Sequence, residues 1–188
     1  NTDESSKLVI FSSGGRRTGD FEVFMVRAMP EDLQEHKETE LKIFGRGPGE
    51  SRLRSLIYEL GLEHHVKLEG YVPHARLIKE LHKSVLAVFP TLLEVGVSIA
   101  MLEAMACHKA VVVFQRPFVE DIITHMKTGF LVSPNKKNEL ARAICILLSD
   151  KKLREKIGEK AFCYVKKHHD WAKLAKKYIK IYTTLVFH

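Results

Sequence analysis

Two glutamates, Glu94 and Glu103, are the residues of this 188-residue chain that most plainly ask for a chemical explanation. They lie in Pro90-Thr-Leu-Leu-Glu-Val-Gly-Val-Ser-Ile-Ala-Met-Leu-Glu-Ala-Met-Ala106, where an extended run ends near Pro90 and a helix starts near Gly96 to Ser98. A helix start offers unpaired amides and the positive end of the helix dipole, which together suit a diphosphate. Ser98 is placed to cap that start and to add a hydroxyl donor. Glu94 stands just ahead of the helix. Glu103 lies one to two turns inside it, beside Leu102, Met105 and Ala106. A carboxylate in such apolar company needs a partner. A pair of sugar hydroxyls and a salt bridge at the edge of the core both meet that need.

A second polar cluster follows the first apolar run, in Ser12-Ser-Gly-Gly-Arg-Arg-Thr-Gly19. Gly14 and Gly15 would let the backbone approach a phosphate closely, and Arg16 and Arg17 could grip its oxygens in bidentate fashion. A solvated turn with two surface arginines is the competing reading. Gly45-Arg-Gly-Pro-Gly49 has neither the dinucleotide fingerprint nor a Walker loop, and reads as a tight turn before a helix. The ten histidines include the pairs His64-His65 and His168-His169, but no HxxxH or HExxH, so no metal site is expected. There is no GxSxG elbow for a nucleophile. Cys107, Cys145 and Cys163 have no metal spacing and sit among apolar residues, which predicts buried free thiols in a reducing compartment.

These groups need a scaffold, and the apolar pattern supplies one. Lys7–Ser12, Glu40–Phe44, Val66–Tyr71, Val85–Pro90, Ala110–Gln115 and Gly129–Val132 are short runs rich in Val, Ile and Phe that mostly do not alternate. Strands buried on both faces of a parallel sheet have this look. Helix-length segments separate them, at 20–36, 50–61, 74–83, 97–108 and 117–126. The expected class is α/β, a Rossmann-like doubly wound parallel sheet of about six strands with helices on both faces. Extra helices close the chain: Asn138–Leu148, Lys152–Lys166, and a third from near Asp170. In the last, Trp171, Leu174, Ala175, Tyr178, Ile181, Tyr182 and Leu185 share one face, and Lys173, Lys176, Lys177 and Lys180 the other.

Apolar residues are 45% and charged residues 28%, which excludes a disordered chain. No apolar run is long enough to span a bilayer. The polar start lacks a signal-peptide pattern and an initiator Met, so the sequence reads as one domain, 1–188, taken from something longer. The net charge of +7 is concentrated in the tail, since residues 151–188 hold eleven Lys and Arg against three Asp and Glu. That predicts either a solvated helical face or a patch for an anionic membrane surface. No nucleic-acid motif is present.

The motifs, taken in order, resemble the C-terminal, donor-binding domain of the retaining GT-B glycosyltransferases of group 1. Leu41-Lys-Ile-Phe-Gly-Arg-Gly-Pro48 resembles the family's strand followed by G-x-G-P. Leu60-Gly-Leu-Glu-His-His-Val-Lys-Leu-Glu-Gly-Tyr-Val72, Val88-Phe-Pro-Thr-Leu-Leu-Glu94, Leu102-Glu-Ala-Met-Ala-Cys-His-Lys-Ala-Val-Val112 and Lys127-Thr-Gly-Phe-Leu-Val-Ser-Pro134 each resemble a family block. The match runs from about residue 7 to 183. The resemblance implies a nucleoside diphosphate sugar as donor substrate, no metal and no other cofactor, and transfer of a hexosyl group with retention. It implies that Arg16, beside Gly15, grips the diphosphate and that Arg17 stands near it. Glu94 would approach the transferred sugar as the catalytic residue, and Glu103 would bind the ribose. Gly96, Val97, Ser98 and Ile99 would hold the distal phosphate, Tyr71 and Val72 would lie at the base, and Gly45 would belong to the donor site. It further implies an N-terminal acceptor domain that this chain lacks, a closing helix that packs across to it, and a cytoplasmic protein, peripheral at a membrane if the basic tail binds lipid.

The chain departs from the family pattern at four points. Eight residues separate the two glutamates where seven are usual, with Val95 as the candidate insertion. Gly-Val-Ser replaces Gly-Phe-Gly at residues 96–98. The lysine that follows the arginine is missing. His108 occupies the place of a turn glycine. These departures, and the absent domain, keep a non-catalytic nucleotide-sugar-binding or scaffold module as the alternative.

Overall fold

The structure is a computed structural model that describes residues 7–12, 21–90, 98–134, 136 and 138–186. Six parallel strands form one sheet: β1 (Lys7–Ser12), β2 (Thr39–Phe44), β3 (Val66–Gly70), β4 (Leu86–Phe89), β5 (Ala110–Phe114) and β6 (Phe130–Val132). Their order is β3-β2-β1-β4-β5-β6. The chain winds outward from β1 to β3, returns to the middle, and winds out again from β4 to β6. Each half is a parallel ladder, with Val9 level with Leu41 on one side and with Leu86 on the other.

The reason for the continuous apolar runs is visible in how the core divides. Leu86 and Val88 of β4, and Ala110, Val112 and Phe114 of β5, face one cluster. Ala87 and Phe89, and Val111 and Val113, face a second. Successive side chains of a strand point to opposite faces, so a sheet covered on both faces needs apolar residues at every position. Helices α1 (Phe21–Glu35), α2 (Glu50–Glu59) and α5 (Glu139–Ser149) cover the first face. Helices α3 (His74–Lys83) and α4 (Ile99–Ala106) cover the second. Helix α6 (Lys151–His168) serves both, with Ile157 in the first cluster and Ala161 and Val165 in the second.

One expected helix is not there. Residues 117–126 form a series of turns, with left-handed backbone at Phe118 (φ 68°) and Met126 (φ 57°). Val119, Ile122 and Ile123 are buried at spacings that imitate a helical face. The left-handed angle at Phe118, the second residue of the segment, is incompatible with a continuous right-handed helix. A Cβ on Gly129 would lie 2.9 Å from both the Ile123 and the Val111 side chains, so only glycine lets this segment press against β5. No disulfide joins the three cysteines, and only Cys107 is buried, while Cys163 is exposed beside Glu159 on α6.

Two polar interactions lock the second layer. Lys109 sends its ammonium to the carbonyls of His82 (3.0 Å) and Ser84 (2.8 Å), the open end of α3. Burial holds its pKa below the ordinary lysine value. Glu80 of α3 is buried and accepts from Lys42 Nζ at 2.7 Å and from Lys83 Nζ at 3.1 Å. The Lys42 hydrogen bond outweighs burial and lowers the Glu80 pKa below its ordinary 4.5. Burial opposes the Lys42 charge, but the Glu80 bond and the nearby carboxylates carry its pKa above the usual value.

Helix α7 (Trp171–Val186) has an exposed apolar face. Trp171 is 79% exposed, Tyr182 64% and Leu185 71%. Lys173, Lys176, Lys177 and Lys180 are exposed as the amphipathic pattern requires. Among the described residues no helix is long and apolar enough to cross a membrane.

Two stability outcomes follow from these contacts. A Cβ at Gly158 would lie 2.1 Å from the His108 carbonyl oxygen, where α6 crosses the turn between α4 and β5. Gly158→Ala is expected to lower stability by about 1–3 kcal/mol despite the better helix propensity of alanine. A thermal melt followed by circular dichroism reads this, and an unchanged or raised midpoint would contradict the close contact. Glu80→Gln is expected to cost about 1–3 kcal/mol at neutral pH, because Lys42 loses its buried counter-charge. A carboxyl whose folded-state pKa is lowered stabilises above its unfolded value and loses that contribution as pH falls. Urea midpoints of parent and variant should therefore differ most above pH 4.5 and converge below it.

Candidate functional site

In an open parallel α/β sheet, ligands bind beyond the carboxyl ends of the strands, where the strand order reverses. Here the reversal lies between β1 and β4, which pair from Val9–Leu86 to Phe11–Val88. β1 ends at Ser12 and β4 at Phe89. The segments that follow them in sequence carry Gly15, Arg16 and Arg17 in one case, and Glu94, Gly96 and Val97 in the other. Those six expected site residues lie outside the described residues.

The described part of the site is built on α4 and on the turns after β2 and β3. Helix α4 is apolar on two sides, with Met101, Ala104 and Met105 buried. Its remaining face carries Ile99, 64% exposed, and one turn later Glu103, whose side chain is 26% exposed. Residues i and i+4 share a helix face, and helical side chains lean toward the N-terminus, so the Glu103 side chain is directed toward the open start of the helix. Ser98 precedes the helix in extended backbone (φ −64°, ψ 125°) and makes no side-chain cap, contrary to the expected capping role. Its carbonyl instead accepts the amides of Met101 (3.1 Å) and Leu102 (3.2 Å). The amides ahead of these, of Ile99 and Ala100, are the ones that a helix start leaves without an internal acceptor.

Glu103 has the partner that its setting demanded. Its Oε1 lies 2.7 Å from Nε2 of His74, the first residue of α3. An ionised carboxylate only accepts, so Nε2 carries the proton between them. His74 was not singled out by any sequence pattern. It starts a helix after Pro73, and its partner is distant in sequence, so no local signal points to it. The other expected residues of this rim divide. Tyr71 is 77% exposed and available, whereas the Val72 side chain is buried in the second core cluster and offers only backbone outward. Gly45 (φ 117°) sends its amide to the Gly70 carbonyl at 2.8 Å, and Gly70 (φ 63°) turns the chain toward Tyr71. These two glycines tie the turns after β2 and β3 together.

A cavity of about 340 Å³ lies elsewhere, between α1 and the start of α5, lined by Phe24, Arg27, Phe114, Ser133, Lys136 and Leu140. It belongs to the other helical layer from Glu103. Among the described residues no group of three or more His, Cys, Asp or Glu is placed to hold a metal ion.

The molecule has clear relatives. Over 181 residues it is 33% identical to an uncharacterized glycosyltransferase of Methanocaldococcus jannaschii, a match that takes in 95% of this chain and 45% of that one. The chain therefore spans about half the length of this relative. Among solved structures, the HepE protein of Anabaena in complex with UDP and glucose superposes with a TM-score of 0.84 and 19% identity, over 96% of this chain and 49% of that one. The C-terminal domain of a glycosyl transferase group 1 family protein (LpcC) from Francisella tularensis superposes with a TM-score of 0.76 and 22% identity, over 88% of each chain. The fold is thus the Rossmann-like fold of GT-B glycosyltransferases. A model of the family "Glycosyl transferases group 1" matches residues 2–162, most of the length, and the chain belongs to that family.

Proposed function

We propose that this chain is the donor-binding half of a retaining glycosyltransferase, which transfers a hexosyl group from a nucleoside diphosphate sugar to an acceptor without a metal. The observation that carries the reading is the partly exposed carboxylate of Glu103, standing one turn inside the helix that follows β4, one of the two strands at which the sheet order reverses. A carboxylate there can accept two ribose hydroxyls while the helix start faces the diphosphate. Membership of group 1, and a structural relative solved with UDP and glucose, support the same assignment.

In this reading the bond between the sugar and the diphosphate breaks with negative charge growing on the leaving phosphate. Arg16, with Arg17 beside it, and the amides from Gly96 to Ile99 stabilise that charge as fixed dipoles and cations, the role a metal plays elsewhere. Glu94 faces the transferred sugar. The acceptor comes from an N-terminal half, and α7 packs its apolar face, from Trp171 to Leu185, against that half. Support for this docking comes from the exposure of that face and from a relative about twice as long as this chain.

Two substitutions test the assignment. Glu103→Ala is expected to weaken UDP or GDP binding by about 1.5–3 kcal/mol, the worth of a hydrogen bond to a charged group, and to leave the melting temperature nearly unchanged. Calorimetric titration that finds parent-like affinity would refute the ribose role. Arg16→Ala is expected to weaken a nucleoside diphosphate far more than the bare nucleoside, because a guanidinium engages phosphate oxygens. Equal weakening of both ligands would remove Arg16 from the diphosphate site.

A further inference from the structure

The bond between His74 and Glu103 joins two separate parts of the candidate site. Glu103 lies on α4, which follows β4, and His74 lies on the loop and helix that follow β3. Three torsions separate the Glu103 carboxylate from its backbone, and holding such a side chain in one rotamer costs conformational entropy. Its neighbours Leu102, Met105 and Ala106 offer no polar atom that would hold it. The imidazole does. At 2.7 Å it engages Oε1 and restricts the carboxylate to a narrow set of orientations.

The mounting of His74 is itself stiff. Val72 is buried two residues earlier. Pro73 forms the N-cap of α3 with φ −57°, and its carbonyl accepts the amides of Arg76 (2.9 Å) and Leu77 (3.1 Å). Arg76 in turn reaches back to Glu69 of β3 at 2.6 Å. The imidazole thus extends from a fixed base although its ring is 66% exposed.

We propose that His74 is a positioning residue of the donor site: its Nε2 holds Oε1 of Glu103 and presents Oε2 to the ribose hydroxyls of the nucleotide. His74 touches the carboxylate rather than the reacting atoms. The proposal rests on the reading of Glu103 as the ribose contact. It distinguishes a working hydrogen bond from an ordinary surface pair, which would contribute little.

Ribose selectivity reads the proposal directly, as the ratio of affinities for UDP and 2′-deoxy-UDP measured by calorimetry on the parent and on His74→Ala, His74→Gln, Glu103→Ala and the double variant. Glu103→Ala should reduce the ratio by about tenfold or more. His74→Ala should reduce it by roughly three- to tenfold, since the carboxylate remains but is no longer held. His74→Gln, whose amide can still donate, should recover most of the loss. The double variant should match Glu103→Ala, because a positioning residue has no effect once its object is gone. Thermal melts should be alike for all, since both side chains reach solvent. If Glu103→Ala collapses the ratio and His74→Ala leaves it at the parent value, the positioning role is wrong and the ribose role of Glu103 survives. If Glu103→Ala itself leaves the ratio unchanged, the ribose reading falls and the proposal falls with it.

Discussion

The constraint on which the molecule depends is that its sheet has no wet face. β4 and β5 bury every side chain, alternately into two separate cores. A parallel sheet of this kind must carry helices on both sides, and the chain can supply both layers only by reversing its direction of travel across the sheet. The reversal between β1 and β4 is therefore a consequence of burial, and it leaves a crevice at the carboxyl ends of the central strands. Among the described residues, Gly45 after β2, Gly70 at the end of β3, His74 at the start of α3, and Glu103 on α4 belong to the candidate site.

Close contacts hold the layers to the sheet. Gly158 lets α6 lie against the turn that follows α4, and the residue at the tip of that turn is His108, with left-handed backbone at φ 57°. A glycine would adopt this conformation without cost. Here the imidazole stacks on Phe162 at 3.8 Å between ring centres and bonds Glu159 at 2.9 Å, so the side chain fastens α6 to the turn while the backbone is strained. The left-handed angle explains why the family pattern has glycine at this place, and the stacking shows what this chain gains from departing from it. Lys109, next in sequence, closes the end of α3, so one short turn joins α3, α4, α6 and β5.

Much of the fold was legible because burial writes itself into composition. The runs LAVF and AVVVF are readable as two-faced strands, and every expected strand exists within about one residue of its expected bounds. The expected helix at 117–126 failed because Phe118, Val119, Ile122 and Ile123 repeat at helical intervals, while the left-handed angles at Phe118 and Met126 are invisible to periodicity. Cys163 was expected to be buried because Ala161, Phe162 and Val165 surround it in sequence, yet it falls on the outer side of α6. The site was legible in part. Glu103 could be picked out as a carboxylate in an apolar helix, but His74 could not, since their meeting is a product of the sheet order. Ser98 looked like a cap by residue type, but its hydroxyl makes no cap bond to the start of α4.

The central claim is that the carboxyl end of this sheet binds a nucleoside diphosphate through α4. A crystal structure of the protein with UDP or GDP tests it most directly. The account predicts the diphosphate at the start of α4, beside the reversal point, and both ribose hydroxyls within hydrogen-bond distance of the Glu103 carboxylate, with His74 still on Oε1. A nucleotide seated in the cavity between α1 and α5, or one whose ribose is held away from Glu103, would contradict it.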